Sequence, residues 1–416
     1  MLTSFTLSSL LLLASAGSLA TASPIHLDVA SPSVLTTDGV VDPTLVEREI
    51  ANTFAKLERG LAVEPASSKP DDRRRACRKA KRDGTSVPVS AFDLGGGFTV
   101  NLGVGKSAQY FPVTIDTGSS DLTVSSFTGG FDSSKSSTFK DLNQTTSTVF
   151  LQGGYTGQLA TDTVSLGSLS VPAQTFLYTP ELQTTKYRGI LGMGPQAGSQ
   201  LGANNFFSNL VASGQVAANK FGLYLTRGGA AGSEAVLGGY NAAHINGIQT
   251  AVKAVEGLPW WALEIQRLTA GGKIIADTKT VALVDSGASI SYLPKETVRA
   301  LYAQIPGSRL STYESSATVM GQTYTIDTYE IPCSTSTSDI GVVFTEGRRR
   351  TFRLNAADFN LGSLDDGSDM CWGSYFGVDF EMYGQRLGLL GIPFLKSYYS
   401  IFDFSANTIT LGESRA

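Results

Sequence analysis

The chain has 416 residues and a formal net charge of −4, from 32 Lys+Arg against 36 Asp+Glu, which excludes a miniprotein, a basic nucleic-acid binder and a collagen-like repeat. Charged residues make up 16%, under the roughly 25% usual for soluble domains, and 45 glycines with abundant Ser and Thr favour strands and turns over long helices. With 42% hydrophobic residues it can bury a sizeable core, while no run approaches the ~20 apolar residues of a spanning helix.

In chain order, Leu7 to Ala16 form a short apolar stretch followed by Ala20-Thr21-Ala22, the pattern of a secretory signal over residues 1–22. The chain is therefore expected to be exported. Residues 23–82 read as a leader. Asp42 as N-cap, Pro43 in the first turn and Leu45, Val46, Ile50, Phe54 and Leu57 as the apolar face predict a helix that stops at Gly60. The leader ends in Arg73-Arg74-Arg75, Arg78-Lys79 and Lys81-Arg82, which in an exported chain reads as a dibasic processing site rather than a nucleic-acid patch. Residues 1–82 hold 11 basic and 9 acidic side chains, which leaves −6 on the remainder.

From residue 83 onward the pattern is one of short alternating runs between Gly- and Ser-rich turns: Phe98–Leu102, Phe111–Ile115, Val281–Val284 and Tyr398–Phe402 are predicted strands. Gly105-Lys106-Ser107 resembles the end of a phosphate loop, but Val100 stands where that loop needs glycine, so it is a hairpin turn. Helices are predicted only around Asn205–Ser213, Lys295–Gln304 and Ala356–Phe359. Asn143-Gln144-Thr145 is a glycosylation sequon on what reads as a loop, Arg348-Arg349-Arg350 a solvated hairpin tip, and Trp260-Trp261 a packing pair of the second half. An all-β body of this length suggests two barrel-like lobes.

A duplication supports two lobes. Val113-Thr-Ile-Asp116-Thr-Gly-Ser-Ser recurs as Ala282-Leu-Val-Asp285-Ser-Gly-Ala-Ser, 169 positions later, and each copy has an echo of two apolar residues and glycine, Ile190-Leu191-Gly192 and Leu389-Leu390-Gly391. Asp-Thr/Ser-Gly after an apolar strand puts a carboxylate at a strand end, with a tight turn whose N–H groups point back at it. One copy means little, because Asp-Gly turns are common. Two copies related by a pseudo-two-fold axis would face two carboxylates, which cannot both ionise in contact and so share a proton, giving a general base and a general acid around one water.

Asp116-Thr117-Gly118-Ser119-Ser120, Asp285-Ser286-Gly287-Ala288-Ser289, the two glycine echoes and the pair Cys333/Cys371 resemble the pepsin-like aspartic proteases of family A1, of the secreted fungal type. The resemblance runs through essentially all of 83–416. It implies an all-β, bilobal pepsin-like fold, two β-barrel-like lobes about a pseudo-two-fold axis with a cleft between them, and endopeptidase activity at acid pH on bonds flanked by hydrophobic residues. The lobes are expected at 83–265, carrying the first aspartate and the flap, and 266–416, carrying the second. Asp116 and Asp285 would hold the nucleophilic water. Thr117 and Ser286 would lock the loops together, Gly118 and Gly287 would approach the carboxylates, and Ser119 would donate to Asp116. Ala288, at the matching place, has no hydroxyl to donate. In the flap, the family's tyrosine is replaced by Phe150 and its tryptophan partner by Thr123, so either Phe150 closes the cleft by packing or Tyr155 enters it from a reshaped hairpin.

Cys77 lies in the leader, so in an oxidising compartment Cys333 and Cys371 most simply pair, closing a 38-residue loop worth ~4 kcal/mol on chain-entropy grounds. The resemblance implies polypeptide substrates, a monomer, no nucleic-acid or membrane partner, and no metal or organic cofactor. The leader is expected to be an intramolecular inhibitor, its basic cluster pairing with the cleft carboxylates near neutral pH and releasing them when they protonate in acid. A Ser-His-Asp hydrolase would rest on His244 alone, read as a surface histidine, with no Gly-x-Ser-x-Gly elbow. A catalytically silent member of the fold, binding peptides or acting as an inhibitor decoy, is the rival reading. A β-sandwich carbohydrate binder or hydrolase would leave the repeated motif unexplained.

Overall fold

The computed structural model describes residues 40–47, 49–50, 53 and 84–415, except 151–152, 185, 320–321, 337–338, 348–349, 365 and 383. The expected signal, Cys77, the basic run 73–82, and Arg348 and Arg349 lie outside the described residues.

Alternating apolar residues fold the body into sheets. Six strands close on themselves in the order Gly97–Val104, Gln109–Asp116, Gly189–Gly192, Leu122–Ser125, Leu169–Thr179 and Gly153–Leu166, with the last pairing the first. The second half builds a smaller mixed sheet around Ala262–Ala270, Lys273–Val284, Gln385–Leu390 and Ser291–Leu293. Strand Ala262–Ala270 runs across position 265/266 and pairs with Lys273–Val284 and Ile340–Phe344. The C-terminal strands Tyr398–Asp403 and Thr408–Ser414 join Lys220–Tyr224 and Ile245–Lys253, knitting early and late chain into one sheet.

The core is continuous between the halves: Phe221 stacks on Phe402 at 4.8 Å between ring centroids, and Trp261 packs on Phe404 at 4.7 Å and donates its indole N–H to the Met193 carbonyl. The Trp pair is buried, yet Trp261 ties the halves together instead of packing within one. The predicted strands and the hairpin at Gly105 form, with Gly105 at φ 93° supplying a turn conformation that side chains resist. Helix Phe206–Ala212 is capped by the Asn205 side chain, Lys295–Tyr302 follows Pro294, and Ala356–Asp358 is a single 3₁₀ turn. A further helix, Ile392–Ser397, begins with proline in its first turn and is too short for its periodicity to be read. Asn143 is exposed but sits on a bulge within strand Lys140–Phe150, not in a loop. His244 is no bare surface group: it stacks on Tyr224 at 4.0 Å and its Nε2 lies 3.2 Å from Glu234. Cys333 and Cys371 are disulfide-bonded, joining the turn after strand Tyr329–Pro332 to strand Met370–Gly373.

Candidate active site

The duplication becomes a matched pair of strand ends. Strand Gln109–Asp116 runs parallel to Gly189–Gly192, Asp116 opposite Gly192, while Lys273–Val284 runs parallel to Gln385–Leu390, Val284 opposite Leu390. The glycines of the echoes are packing requirements: a Cβ on Gly192 would stand 2.5 Å from the Asp121 nitrogen, and one on Gly391 2.3 Å from the Ile290 carbonyl oxygen. Only a residue without a side chain lets each echo strand cross behind its aspartate loop.

The two loops interlock. Thr117 Oγ1 donates to the Val284 carbonyl (2.8 Å) and accepts from the Ser286 N–H (2.9 Å); Ser286 Oγ donates to the Ile115 carbonyl (2.7 Å) and accepts from the Thr117 N–H (3.0 Å). Both hydroxyls are buried and fully used, so the pair fixes the separation of the strand ends. Asp116 Oδ1 accepts from the Gly118 N–H at 2.9 Å and Oδ2 from the Ser119 hydroxyl; Asp285 Oδ1 accepts from the Gly287 N–H at 2.8 Å. A Cβ placed on Gly287 would lie 2.6 Å from Asp116 Oδ1 and 3.2 Å from Asp285 Oδ1. Both carboxylates therefore lie close to the place a Gly287 side chain would take, and these two oxygens are no further apart than those two distances together.

This doubled Asp-Thr/Ser-Gly lock has counterparts in known proteins: a family model for eukaryotic aspartyl proteases matches residues 97–414. The chain belongs to that family. This aspartyl protease is 30% identical to pepsin A of Sus scrofa over 330 residues, covering 74% of the chain and 79% of the relative. It is 25% identical to major aspartyl peptidase 1 of Cryptococcus neoformans over 370 residues, covering 82% and 73%, and 28% identical to cathepsin D of Chionodraco hamatus over 333 residues, covering 76% and 80%. It is an aspartic-type endopeptidase with the pepsin-like all-β fold.

Ala288 is buried, its carbonyl accepting from the Ile392 N–H at 2.8 Å. The Lys140–Phe150 and Gly153–Leu166 hairpin forms with Phe150 opposite Gly153, the Phe150 side chain lying outside the described residues. Tyr155 is fully buried, packed with Leu177, Leu182, Tyr187 and Ile190 beside the strand that pairs with Asp116; Thr123 is fully buried on strand Leu122–Ser125.

Two acidic residues at the site escaped the sequence reading. Asp121, five positions after Asp116, is buried and accepts from Ser199 Oγ and the Gln200 N–H, both at 2.6 Å. Burial pushes its carboxyl up to about 6 against those hydrogen bonds. Glu49 comes from the helix that begins at Pro43, ahead of the all-β body. Asp42 caps its helix by accepting from the Thr44 N–H at 2.9 Å, and Val41, Val46 and Ile50 pack against the second half with Ala288, Ile290 and Tyr292. Glu49 Oε1 accepts from the Ser289 N–H (2.7 Å) and the Ile290 N–H (3.3 Å), four and five positions after Asp285. Burial pushes this carboxyl up to about 8, with Asp285 adding to the rise and the two N–H donors opposing it. The signal was present in the sequence: Val46, Glu49, Ile50 and Thr53 share one helix face, and an acid on an apolar stripe needs a partner.

Proposed function

We propose that Asp116 and Asp285 are the catalytic dyad of this endopeptidase, sharing one proton and holding one water, one carboxylate as general base and the other carboxyl as general acid. The supporting observation is the reciprocal Thr117–Ser286 lock with both carboxylates on Gly287. In this reading the base takes a proton from the water as its oxygen attacks the scissile carbonyl, and the acid protonates the carbonyl oxygen. Buried N–H and hydroxyl donors hold Asp116 in place, so little reorganisation accompanies the step. Activity is at acid pH, where one proton resides on the pair, on bonds flanked by hydrophobic residues. The hairpin 140–166 is the flap, closing the cleft by positioning substrate and excluding water.

The leader, residues 23–82, is the intramolecular inhibitor, and residues 1–22 direct secretion. Support for inhibition comes from Glu49, whose carboxyl occupies two backbone donors of the Asp285 loop, while the basic cluster lies outside the described residues. The expected outcome of an acid-pH protein digestion by the processed enzyme is cleavage blocked by a statine-type inhibitor such as pepstatin, and lost by at least 10⁴-fold in both Asp116→Asn and Asp285→Asn. Folded protein that binds pepstatin without cleaving would establish the silent, peptide-binding alternative.

A further inference from the structure

Beside the Asp285 loop lies a cavity of about 310 Å³ whose wall includes Ser289, Asn360, Arg227 and Lys396 and the backbones of Gly96 and Gly228. It opens next to the groove holding the leader, since Ser289 lines the cavity and also donates its N–H to Glu49, and Leu361, another wall residue, packs in the same cluster as Val41.

The charges in this cavity do not balance. Arg227 makes a two-pronged bond to Asp358, Nε to Oδ1 at 2.9 Å and Nη2 to Oδ2 at 2.7 Å, and Ser397 Oγ donates to Oδ2 at 2.9 Å. Buried Asp358 is thereby committed, and a second Nη2 contact, to the Lys396 carbonyl, fixes the guanidinium. Lys396 is the second cation, and among the described residues no carboxylate is within ion-pair reach of its ammonium. From the facing turn, Gly95 presents only backbone, and the nearby Asp93 is held by Lys186. Two cations thus share one engaged anion. Desolvation pushes the Lys396 ammonium down to about 8, with Asp358 resisting and Arg227 assisting, so it is charged throughout the acid range yet has no carboxylate of its own among the described residues. A half-desolvated ammonium at a polar cavity gains most from an anion that enters with its own hydrogen-bond acceptors.

We infer that this cavity is a specificity subsite which takes the carboxylate of a Glu or Asp side chain of the polypeptide substrate, with Lys396 as its counter-ion. The inference rests on the cleft reading above and adds to it: hydrophobic residues at the scissile bond are joined by an acidic anchor at one position nearby. Below the ordinary carboxylate range the substrate side chain is neutral and the preference fades. Above it, and up to the range where Lys396 deprotonates, the preference is expressed.

The experiment is a scan of one good peptide substrate in which Gln, Glu or Lys replaces each residue flanking the scissile bond in turn, with kcat/KM measured at pH 3 and pH 6 on enzyme processed from the full chain. At one position the Glu peptide should exceed the Gln peptide about tenfold at pH 6, the Lys peptide should fall about tenfold below it, and the Glu/Gln ratio should approach one at pH 3. Lys396→Gln should bring the ratio at pH 6 to near one, and Lys396→Arg should restore it. A parent enzyme with no such position overturns the inference without needing any variant to fold, as does a ratio that survives in Lys396→Gln. Absence of all peptide cleavage would instead overturn the catalytic reading on which the subsite depends.

Discussion

The two aspartate loops begin as near copies and end differently. After Asp116 the chain seals itself: Ser119 donates to the carboxylate, the Ser120 hydroxyl reaches the Pro195 carbonyl at 2.6 Å, and Asp121 is buried against Ser199 and Gln200. After Asp285 the third residue is Ala288, and the next two backbone N–H groups, of Ser289 and Ile290, turn to the leader's Glu49. A duplicated scaffold has thus kept one half self-satisfied as a rigid support and left the other with donors that need a partner. That asymmetry suits a protein whose second half grips a polypeptide chain.

The largest expected effect tests the shared centre of the comparison. Gly287→Ala puts a Cβ 2.6 Å from Asp116 Oδ1, so it should cost at least a hundredfold in kcat while the protein remains folded by circular dichroism. Unchanged turnover would mean the carboxylates are not held as closely as described.

Next comes the donor pair of the second loop. Docking raises the Glu49 carboxyl from 4.5 to about 8, so its protonated form stabilises the docked leader fully below about pH 4.5, and that contribution is lost as pH rises through 8. In the full chain carrying Asp116→Asn to prevent self-processing, amide hydrogen exchange of residues 43–50, corrected for intrinsic rate, should show protection falling at least tenfold from pH 5 to pH 8. With Glu49→Gln added, it should stay flat. This sign is opposite to acid release by a basic cluster, so the same measurement separates the two devices.

The buried acid of the first loop predicts a stability slope. The Asp121 carboxyl rises from 3.8 to about 6, hence its protonated form stabilises the fold below pH 3.8, and about 3 kcal/mol is lost as pH rises through 6. Denaturant midpoints should fall between pH 4 and pH 7 less steeply in Asp121→Asn than in the parent.

The smallest effect concerns the missing hydroxyl. Ala288→Thr restores a donor at the place matching Ser119, which favours the ionised form of the neighbouring carboxylate. It should move the acid limb of the pH–rate profile down by under one unit, and an unmoved limb would show that the two loops do not differ for that reason.

Much of the fold was legible because strand alternation and turn glycines act over a few residues: Phe98–Leu102, Phe111–Ile115 and the Gly105 hairpin need only local sterics. The helix Ile392–Ser397 was not, being shorter than two turns. Of the candidate site, the doubled motif showed which residues stand at equivalent places. It could not show that Gly287 closely approaches both carboxylates, because its contact with Asp116 spans 171 positions of chain.

By itself, the sequence determined the all-β character, the capped leader helix and the repeated Asp-Thr/Ser-Gly turns, since propensity, capping and periodicity are properties of neighbouring residues. Tertiary structure alone decided that Thr117 and Ser286 clasp each other, that Glu49 reaches the Asp285 loop, and that Lys396 is left without a carboxylate of its own among the described residues. Hydrogen bonding and desolvation depend on which distant groups burial brings together, and no local pattern encodes that pairing.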